Sequence, residues 1–124
     1  MNWSGKSLLL IEDNEYNAEF VKVALASTHI KIIQAATGEM AMREFFSLKK
    51  FDLVLLDIRM PDISGYELAK NFREANKDIP IIAQTAFASP EHKEKCLSAG
   101  CNDHISKPVK SADLLAIISR YISN

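Results

Sequence analysis

Short apolar runs rich in β-forming residues alternate with segments of helical period along this chain, and no other feature limits the fold as strongly. Such runs predict buried strands, and the segments between them predict amphipathic helices. Strands joined by helices form a parallel sheet through right-handed crossovers, with helices on both faces. The five runs are SLLLI (7–11), IKIIQA (30–35), FDLVLLD (51–57), IPIIAQT (79–85) and NDHIS (102–106).

Apolar residues at helical spacing predict the inward face of each helix. These are Phe20, Val23 and Ala24 in the first helix; Met40, Ala41, Phe45 and Leu48 in the second; Leu68, Ala69 and Phe72 in the third; and Leu114, Ile117, Ile118, Tyr121 and Ile122 in the last, which is predicted to run to the chain end. Helix caps are predicted at Thr37 and Ser89, with Pro90 at the first helical position and Gly100 after the fourth helix.

The length of 124 residues fits one domain, predicted over 1–124 with residues 1–6 as a lead-in. The net charge of -1 provides no basic field for nucleic acid or an acidic membrane. No apolar run approaches the roughly 20 residues of a membrane helix. Two cysteines are too few for a disulfide framework, and the first residues lack a secretory signal. We therefore expect a cytoplasmic domain without membrane contact, although its parent protein could be membrane-anchored.

Charged and polar side chains stand where four of the predicted strands end. Glu12 and Asp13 follow the first strand, Asp57 ends the third, Thr85 ends the fourth, and Lys107 follows the fifth. Open parallel sheets bind ligands beyond the carboxyl ends of their strands. The sequence therefore predicts one site with three carboxylates, a hydroxyl and an ammonium.

Three carboxylates in one crevice repel one another unless a cation lies between them. Oxygen ligands suit a hard divalent ion, and a few carboxylates with water suit Mg²⁺. Asp57 can be both ligand and nucleophile, because carboxylates can attack phosphorus to give an aspartyl phosphate. Lys107 and the Thr85 hydroxyl would contact the phosphate oxygens. Each of these residues alone would have an ordinary structural role, but the convergence favours phosphoryl chemistry.

Four segments in order, each at a strand end, resemble the response-regulator receiver domain of two-component signalling. They are IEDN, LLDIRMPDISG, QTAFA and SKP, and the resemblance extends from Lys6 to Ile122. It implies a flavodoxin-like (βα)5 three-layer α/β sandwich with strand order 2-1-3-4-5. It also implies a signalling phosphoacceptor, with self-catalysed phosphorylation and dephosphorylation, rather than a turnover enzyme.

The resemblance assigns roles to individual residues. Asp57 would accept a phosphoryl group from a phosphohistidine on a histidine kinase or a histidine phosphotransfer domain. Asp13, Asp57 and the backbone carbonyl of Arg59 would bind Mg²⁺, or Mn²⁺ as the alternative ion, with Glu12 acting through water. Lys107 and Thr85 would hold the phosphate, and the Lys107–Pro108 bond is expected to be cis. In the segment after Asp57, Gly65 is expected to allow a positive φ.

A switch is also implied by the resemblance. It would couple Thr85 to His104 and change the surface of the fourth helix, fifth strand and fifth helix, with phosphorylation-dependent homodimerisation as one outcome. Receivers usually carry Tyr or Phe where this chain has His104. A half-exposed strand histidine without a switch role is an equal interpretation.

Several alternatives remain at this point. The lead-in resembles receivers within hybrid histidine kinases, and an exposed-looking Trp3 favours a domain junction, but a stand-alone regulator is the alternative. A phosphatase with an aspartate nucleophile would need a second Asp where Arg59 stands. A flavin-binding module would need a phosphate loop where Glu12 and Asp13 repel phosphate. A zinc site has irregular spacing; its candidate ligands would be His92, Cys96, Cys101 and His104.

Overall fold

The structure, a computed structural model, describes residues 1–86 and 89–122. A five-stranded parallel sheet crosses the molecule in the order β2-β1-β3-β4-β5, which confirms the predicted topology. The strands are β1 (Ser7–Ile11), β2 (Lys31–Ala35), β3 (Leu53–Asp57), β4 (Ile81–Thr85) and β5 (Asp103–Ser106). Every residue of β3 and β4 is buried, because helices cover both faces of the central strands.

Within the described ranges, five α-helices form the two outer layers. They are α1 (Glu15–Leu25), α2 (Gly38–Phe45), α3 (Gly65–Ala75), α4 (Pro90–Ala99) and α5 (Ser111–Ser119). Buried residues of α2, α3 and α4 form one core cluster with one face of the sheet, and those of α1 and α5 form a second cluster with the other face. Alternation along β1 divides its side chains between them: Leu9 and Ile11 enter the first cluster, and Leu8 and Leu10 the second.

Several local predictions are confirmed. The inward residues of α3 are fully buried, and the Thr37 and Ser89 side chains cap α2 and α4 by accepting backbone N–H groups. Pro90 begins α4, and Gly100 follows it with a left-handed φ of 109°. In α5, Leu114, Ile117 and Ile118 are buried, as predicted. The helix ends at Ser119, so its predicted continuation is wrong, although Ile122 is buried and Tyr121 packs against the same core from beyond the helix.

The predicted inward face of α1 is wrong for Phe20 and Val23, whereas Ala24 is partly buried and packs against the core, as predicted. Phe20 is 40% exposed and Val23 is 67% exposed, whereas the buried residues are Ala18, Val21 and Leu25. Both sets follow helical spacing, so periodicity alone cannot choose between them. The face that contacts the sheet carries smaller residues than the face the sequence favoured.

The predicted inward face of α2 is partly wrong. Ala41 is buried and Phe45 packs against the core, as predicted. The helix ends at Phe45, however, so Leu48 lies beyond it and is fully exposed, and Met40 is also exposed. The sequence prediction extended the helix past Phe45, so it placed Leu48 on an inward helical face although Leu48 is outside the helix.

The expectation of an exposed Trp3 is also wrong. Trp3 is 1% exposed and belongs to the core cluster of α1 and α5. A turn over Ser4 and Gly5, where Gly5 has a φ of 84°, reverses the chain before β1. The Trp3 N–H donates to the Thr28 carbonyl at 2.6 Å. The lead-in therefore packs onto the fold, and Trp3 no longer supports a domain junction.

In the portion of the chain that the structure describes, no helix combines the length and the apolar character that crossing a membrane requires.

Candidate functional site

The parallel pairing of β1 and β3 brings the carboxylates together. Ile11 lies opposite Leu56, so Glu12 and Asp57 are neighbours just past this pair. One carboxylate oxygen each from Glu12, Asp13 and Asp57 lie within 4.8 Å of one another. Glu12 and Asp57 are buried, while Asp13 is exposed at the mouth. The structure therefore assembles the acidic cluster that the strand ends predicted.

Backbone and side-chain hydrogen bonds fix the position of Glu12. Its N–H donates to the Ala35 carbonyl at 3.0 Å, and its own carbonyl accepts from Gln34 Nε2 at 3.2 Å. The Asn14 N–H donates to Glu12 Oε2 at 3.2 Å. Asn14 also caps α1, with its side chain accepting from the Asn17 N–H. The turn after β1 therefore positions the buried carboxylate and starts the next helix together.

Lys107 bridges the two buried carboxylates. Its Nζ lies 2.8 Å from Asp57 Oδ2 and 3.4 Å from Glu12 Oε1. The other Asp57 oxygen, Oδ1, accepts the Arg59 N–H at 2.9 Å. The Lys107–Pro108 bond is cis, as expected. Asp57 thus has a donor on each oxygen, one from β3's own continuation and one from the segment after β5.

The charges in the cluster do not balance, since three carboxylates face one ammonium. Burial, and then the adjacent Asp57, raise the pKa of Glu12 from its ordinary 4.5 to about 7. Burial alone would lower the pKa of Lys107, but Asp57 and Glu12 outweigh it and raise that pKa. Clustered oxygen ligands with excess negative charge fit a hard divalent cation.

Gly65 allows the start of α3 to approach the end of β3. A Cβ on Gly65 would lie 2.5 Å from the Ile58 Cα and 2.8 Å from the Asp57 carbonyl oxygen. Gly65 does not have a positive φ, since the glycines that do are Gly5 and Gly100. The expected reason for this glycine is therefore wrong: close backbone approach requires it, directly behind Asp57.

Thr85 and His104 lie on neighbouring strands at different heights. Thr85 is buried at the end of β4, and its carbonyl accepts the Lys107 N–H at 2.9 Å. His104 is half-buried in β5 and lies opposite Ala83, two residues before Thr85. Thr85 therefore lies at the carboxyl end of its strand, as Asp57 does. His104 is level with Ala83 and so lies two residues further from the carboxyl ends of the strands. Phe87 and Ala88 of the QTAFA motif lie outside the described residues.

The cysteines considered as zinc ligands are buried. Cys96 lies in the core cluster that α4 forms with the sheet. Burial raises the pKa of the Cys101 thiol to about 12 and also raises that of Cys96. Zinc ligation needs the thiolate form. Of the described residues, those that bring three potential metal ligands together are Glu12, Asp13 and Asp57.

Sequence reasoning missed the residues that support the site. Gln34 and Asn14 hold Glu12, as described above. Asp62, in the segment after Asp57, instead fixes the start of α2, where it accepts the N–H groups of Gly38 and Glu39 at 2.8 and 3.0 Å. These hydrogen bonds lower the pKa of Asp62. The N-capping preference of Asn was the available signal for Asn14. The contacts of Gln34 and Asp62 join distant segments, so no local pattern predicted them.

The chain belongs to the response regulator receiver domain family, whose model matches residues 8–119. It is 37% identical over 123 residues to hybrid signal transduction histidine kinase M of Dictyostelium discoideum; the match covers 94% of the chain and 5% of the kinase. It is 31% identical over 121 residues to the polar-differentiation response regulator DivK of Brucella anthropi, covering 96% of the chain and 98% of DivK.

Solved structures support the same assignment. The receiver domain of a sensor histidine kinase from Pseudomonas aeruginosa PAO1, determined with a magnesium ion coordinated in its active site cleft, superposes with a TM-score of 0.86. The two are 35% identical, and the match covers 98% of this chain and 100% of that domain. Domains similar to this chain therefore occur as a small part of a long histidine kinase and also as nearly the whole length of a response regulator.

Proposed function

We propose that the chain is the phosphoacceptor of a two-component phosphorelay, and that Asp57 accepts the phosphoryl group from a phosphohistidine. One observation carries the proposal: three carboxylates lie within 4.8 Å of one another, with the Lys107 ammonium 2.8 Å from Asp57. The donor would be a histidine kinase or a histidine phosphotransfer domain, as the family and its kinase relatives suggest. The same site would release the phosphate slowly by hydrolysis.

The transfer uses groups that are already in place. An Asp57 carboxylate oxygen forms the new bond to phosphorus, the donor's N–P bond breaks, and its electron pair stays on the imidazole nitrogen. The Lys107 ammonium, which is hydrogen-bonded to Asp57 in the unphosphorylated structure, donates a hydrogen bond to a phosphoryl oxygen and offsets its charge. The Thr85 hydroxyl donates to another oxygen. The protein's contribution is mainly to position these groups and offset charge.

Magnesium would be the partner of the acidic cluster. Asp13, Asp57 and the backbone carbonyl of Arg59 would hold it, with Glu12 acting through water and Mn²⁺ as the alternative ion. Once bound, it would offset negative charge on the phosphoryl oxygens. The unbalanced carboxylates and the raised pKa of Glu12 support this assignment. The magnesium in the cleft of the similar Pseudomonas receiver supports it as well.

The phosphorylated state would change the surface formed by α4, β5 and α5. The new phosphate draws the Thr85 hydroxyl toward it and gives His104 room to move, which biases a two-state surface. Thr85→Ala should keep phosphorylation but reduce the amide shift changes that phosphorylation causes in β5 and α5. If His104→Ala leaves those changes intact, His104 is a strand histidine without a switch role.

The setting of the domain belongs to the same proposal. We place it in the cytoplasm, without direct contact to nucleic acid or membrane, and as part of a hybrid histidine kinase. The identity to hybrid kinase M supports this setting, and the match across nearly all of DivK supports a stand-alone regulator as the alternative. Homodimerisation after phosphorylation would use the α4, β5 and α5 surface.

Intact mass after incubation with acetyl phosphate tests the function. With Mg²⁺, the wild type should gain one phosphoryl group; with chelator, or in Asp57→Asn, it should gain none. Asp78→Asn is the matched control, because Asp78 is an exposed aspartate that precedes β4 and so lies at the amino ends of the strands, away from the site. An adduct that persists in Asp57→Asn, or that forms equally without Mg²⁺, would contradict the proposal.

A further inference from the structure

A buried amide nitrogen without a hydrogen-bond partner in the described part of the chain borders a groove on the α1 side of the sheet. Gln84 is in β4 and is 1% exposed. Its Nε2 has no hydrogen-bond partner among the residues that the structure describes. Buried donors are nearly always paired, and leaving one unpaired is unfavourable. The Gln84 amide therefore marks a position where an acceptor from outside the fold would be stabilising.

The walls of the groove are largely hydrocarbon. Tyr16, Phe20 and Val21 line it from α1, and Pro108 and Val109 line it from the segment between β5 and α5. Its volume is about 290 Å³, at the small end of the range for small-molecule pockets. Tyr16 and Phe20 are also exposed apolar side chains one helical turn apart. They give α1 an outward apolar face that extends the groove toward solvent.

The polar groups of the groove define what it would bind. Lys107 also lines it, but its ammonium is engaged with Asp57 and Glu12. Asn17 adds an amide, and no carboxylate belongs to the described lining. The positive charge of Lys107 disfavours a cation, and its engagement leaves no free charge for an anion. An uncharged molecule with an acceptor oxygen suits the buried, unpaired Nε2 donor of Gln84.

Water is a weaker occupant of such a groove. A well-held buried water typically makes about three hydrogen bonds. Here apolar side chains form most of the described walls around the buried Nε2 of Gln84. An apolar body between α1 and the Pro108 segment would instead remove the hydrocarbon surface of these walls from solvent, which is favourable.

We propose that this groove binds a small uncharged aromatic compound through a carbonyl oxygen that accepts from Gln84 Nε2. The ring packs between Phe20 of α1 and Val109 before α5. The site is separate from the acidic cluster, although Lys107 borders both. Binding does not depend on phosphoryl transfer, so the proposal and the proposed function fail or hold independently.

Titration of ¹⁵N-labelled protein with acetophenone and with ethylbenzene tests the proposal. The two probes have nearly the same shape, and only acetophenone has the carbonyl oxygen. Acetophenone should shift the Gln84 side-chain amide signal saturably and bind at least about fivefold tighter than ethylbenzene. The Gln34 side-chain amide, already bonded to the Glu12 carbonyl, is the internal control and should not move.

Two variants complete the test. Gln84→Leu removes the unpaired donor and keeps an apolar floor, so it should fold with an undiminished melting temperature and lose the preference for acetophenone. Phe20→Ala, on the exposed face of α1, should weaken both probes. If neither probe gives saturable shifts, the groove holds only water and the proposal is wrong. If Gln84→Leu keeps the preference, acetophenone does not bind through the Gln84 amide and the proposal is also wrong. If Gln84→Leu does not fold, the proposal is still tested by two results: the saturable shift of the wild-type Gln84 amide signal and the weaker binding of both probes to Phe20→Ala.

Discussion

Polar groups have opposite environments at the two ends of the sheet. Asp52, just before β3, and Asp57, at the end of β3, show the difference. At the amino end, Asp52 accepts the Ser7 N–H at 2.8 Å, and the Asp52 N–H donates to the Ser7 carbonyl at 2.8 Å. At the carboxyl end, Asp57 shares one ammonium with Glu12 and lies close to a third carboxylate. At the amino end, Asp52 and Ser7 are hydrogen-bonded to each other. At the carboxyl end, three carboxylates face one ammonium, so negative charge is in excess.

This difference separates stability from function along a single strand. The amino end also buries Trp3 against the α1 and α5 core, so it stabilises the fold. The carboxyl end holds a buried carboxylate whose pKa is raised, which is unfavourable until a cation or a proton arrives. Changes at the amino end should therefore lower stability, and changes at the carboxyl end should alter ligand binding.

Replacing Trp3 by Ala should have the largest effect on stability. Removing a fully buried aromatic side chain from a core costs about 3 to 5 kcal/mol, so the free energy of unfolding in urea should fall by about that much. Phosphorylation of the folded protein should stay unchanged. Ser4→Ala, in the same segment but exposed, is the control and should stay within about 0.5 kcal/mol of wild type. A Trp3→Ala protein as stable as that control would mean that the lead-in does not stabilise the fold.

Glu12→Gln should stabilise the metal-free protein at high pH. Burial and Asp57 raise the pKa of Glu12 to about 7 in the folded state, from 4.5 ordinarily. The folded state therefore binds the proton more tightly than the unfolded state, and wild-type stability is lost as pH rises from about 4.5 to about 7. The variant lacks this loss.

Urea unfolding in chelator checks that expectation. At pH 8 the variant should be more stable than wild type by up to about 3 kcal/mol, since each pKa unit corresponds to about 1.4 kcal/mol. At pH 4 the difference should nearly vanish. A constant difference across this range would mean that Glu12 does not titrate with folding.

Asp52→Ala should give the smallest of the three effects. It removes one hydrogen bond to the Ser7 N–H, which is worth about 1 kcal/mol of unfolding free energy. Phosphorylation and magnesium dependence should be unaffected, although Asp52 directly precedes β3 and Asp57 ends it. Asp78→Ala removes an exposed carboxylate near the same edge and serves as control. A loss of phosphorylation in Asp52→Ala would break the separation of the two ends.

The sequence predicted the sheet and the carboxyl-end cluster well for a physical reason. Central strands of a parallel sheet are buried on both faces, so their apolar runs are hard to mistake. Parallel strands also end at one edge, so Glu12, Asp57 and Lys107 could be placed together without any distance information. The structure brings the Glu12 and Asp57 carboxylates within 3.4 and 2.8 Å of the Lys107 ammonium.

Predictions failed where two arrangements satisfied the same local rule. In α1, Phe20 and Val23 follow helical spacing as well as Val21 and Leu25 do, and only the packing of the sheet selects the buried pair. Trp3 depends on the chain reversal at Gly5, which no periodicity reports. The Gln34 Nε2 group donates to the Glu12 backbone carbonyl, 22 residues away in sequence. Contacts of this kind are set by tertiary structure rather than by local pattern.

The stability of the protein with and without magnesium is the most direct measurement of the difference between the two ends. An ion that binds only the folded state should raise the unfolding free energy, by about 2.7 kcal/mol at a hundredfold excess over its Kd. Wild type and Asp78→Asn should show this gain, and Asp13→Asn should lose most of it. If magnesium leaves wild type unchanged, or stabilises Asp13→Asn equally, the carboxyl end is not the metal site and the central claim is contradicted.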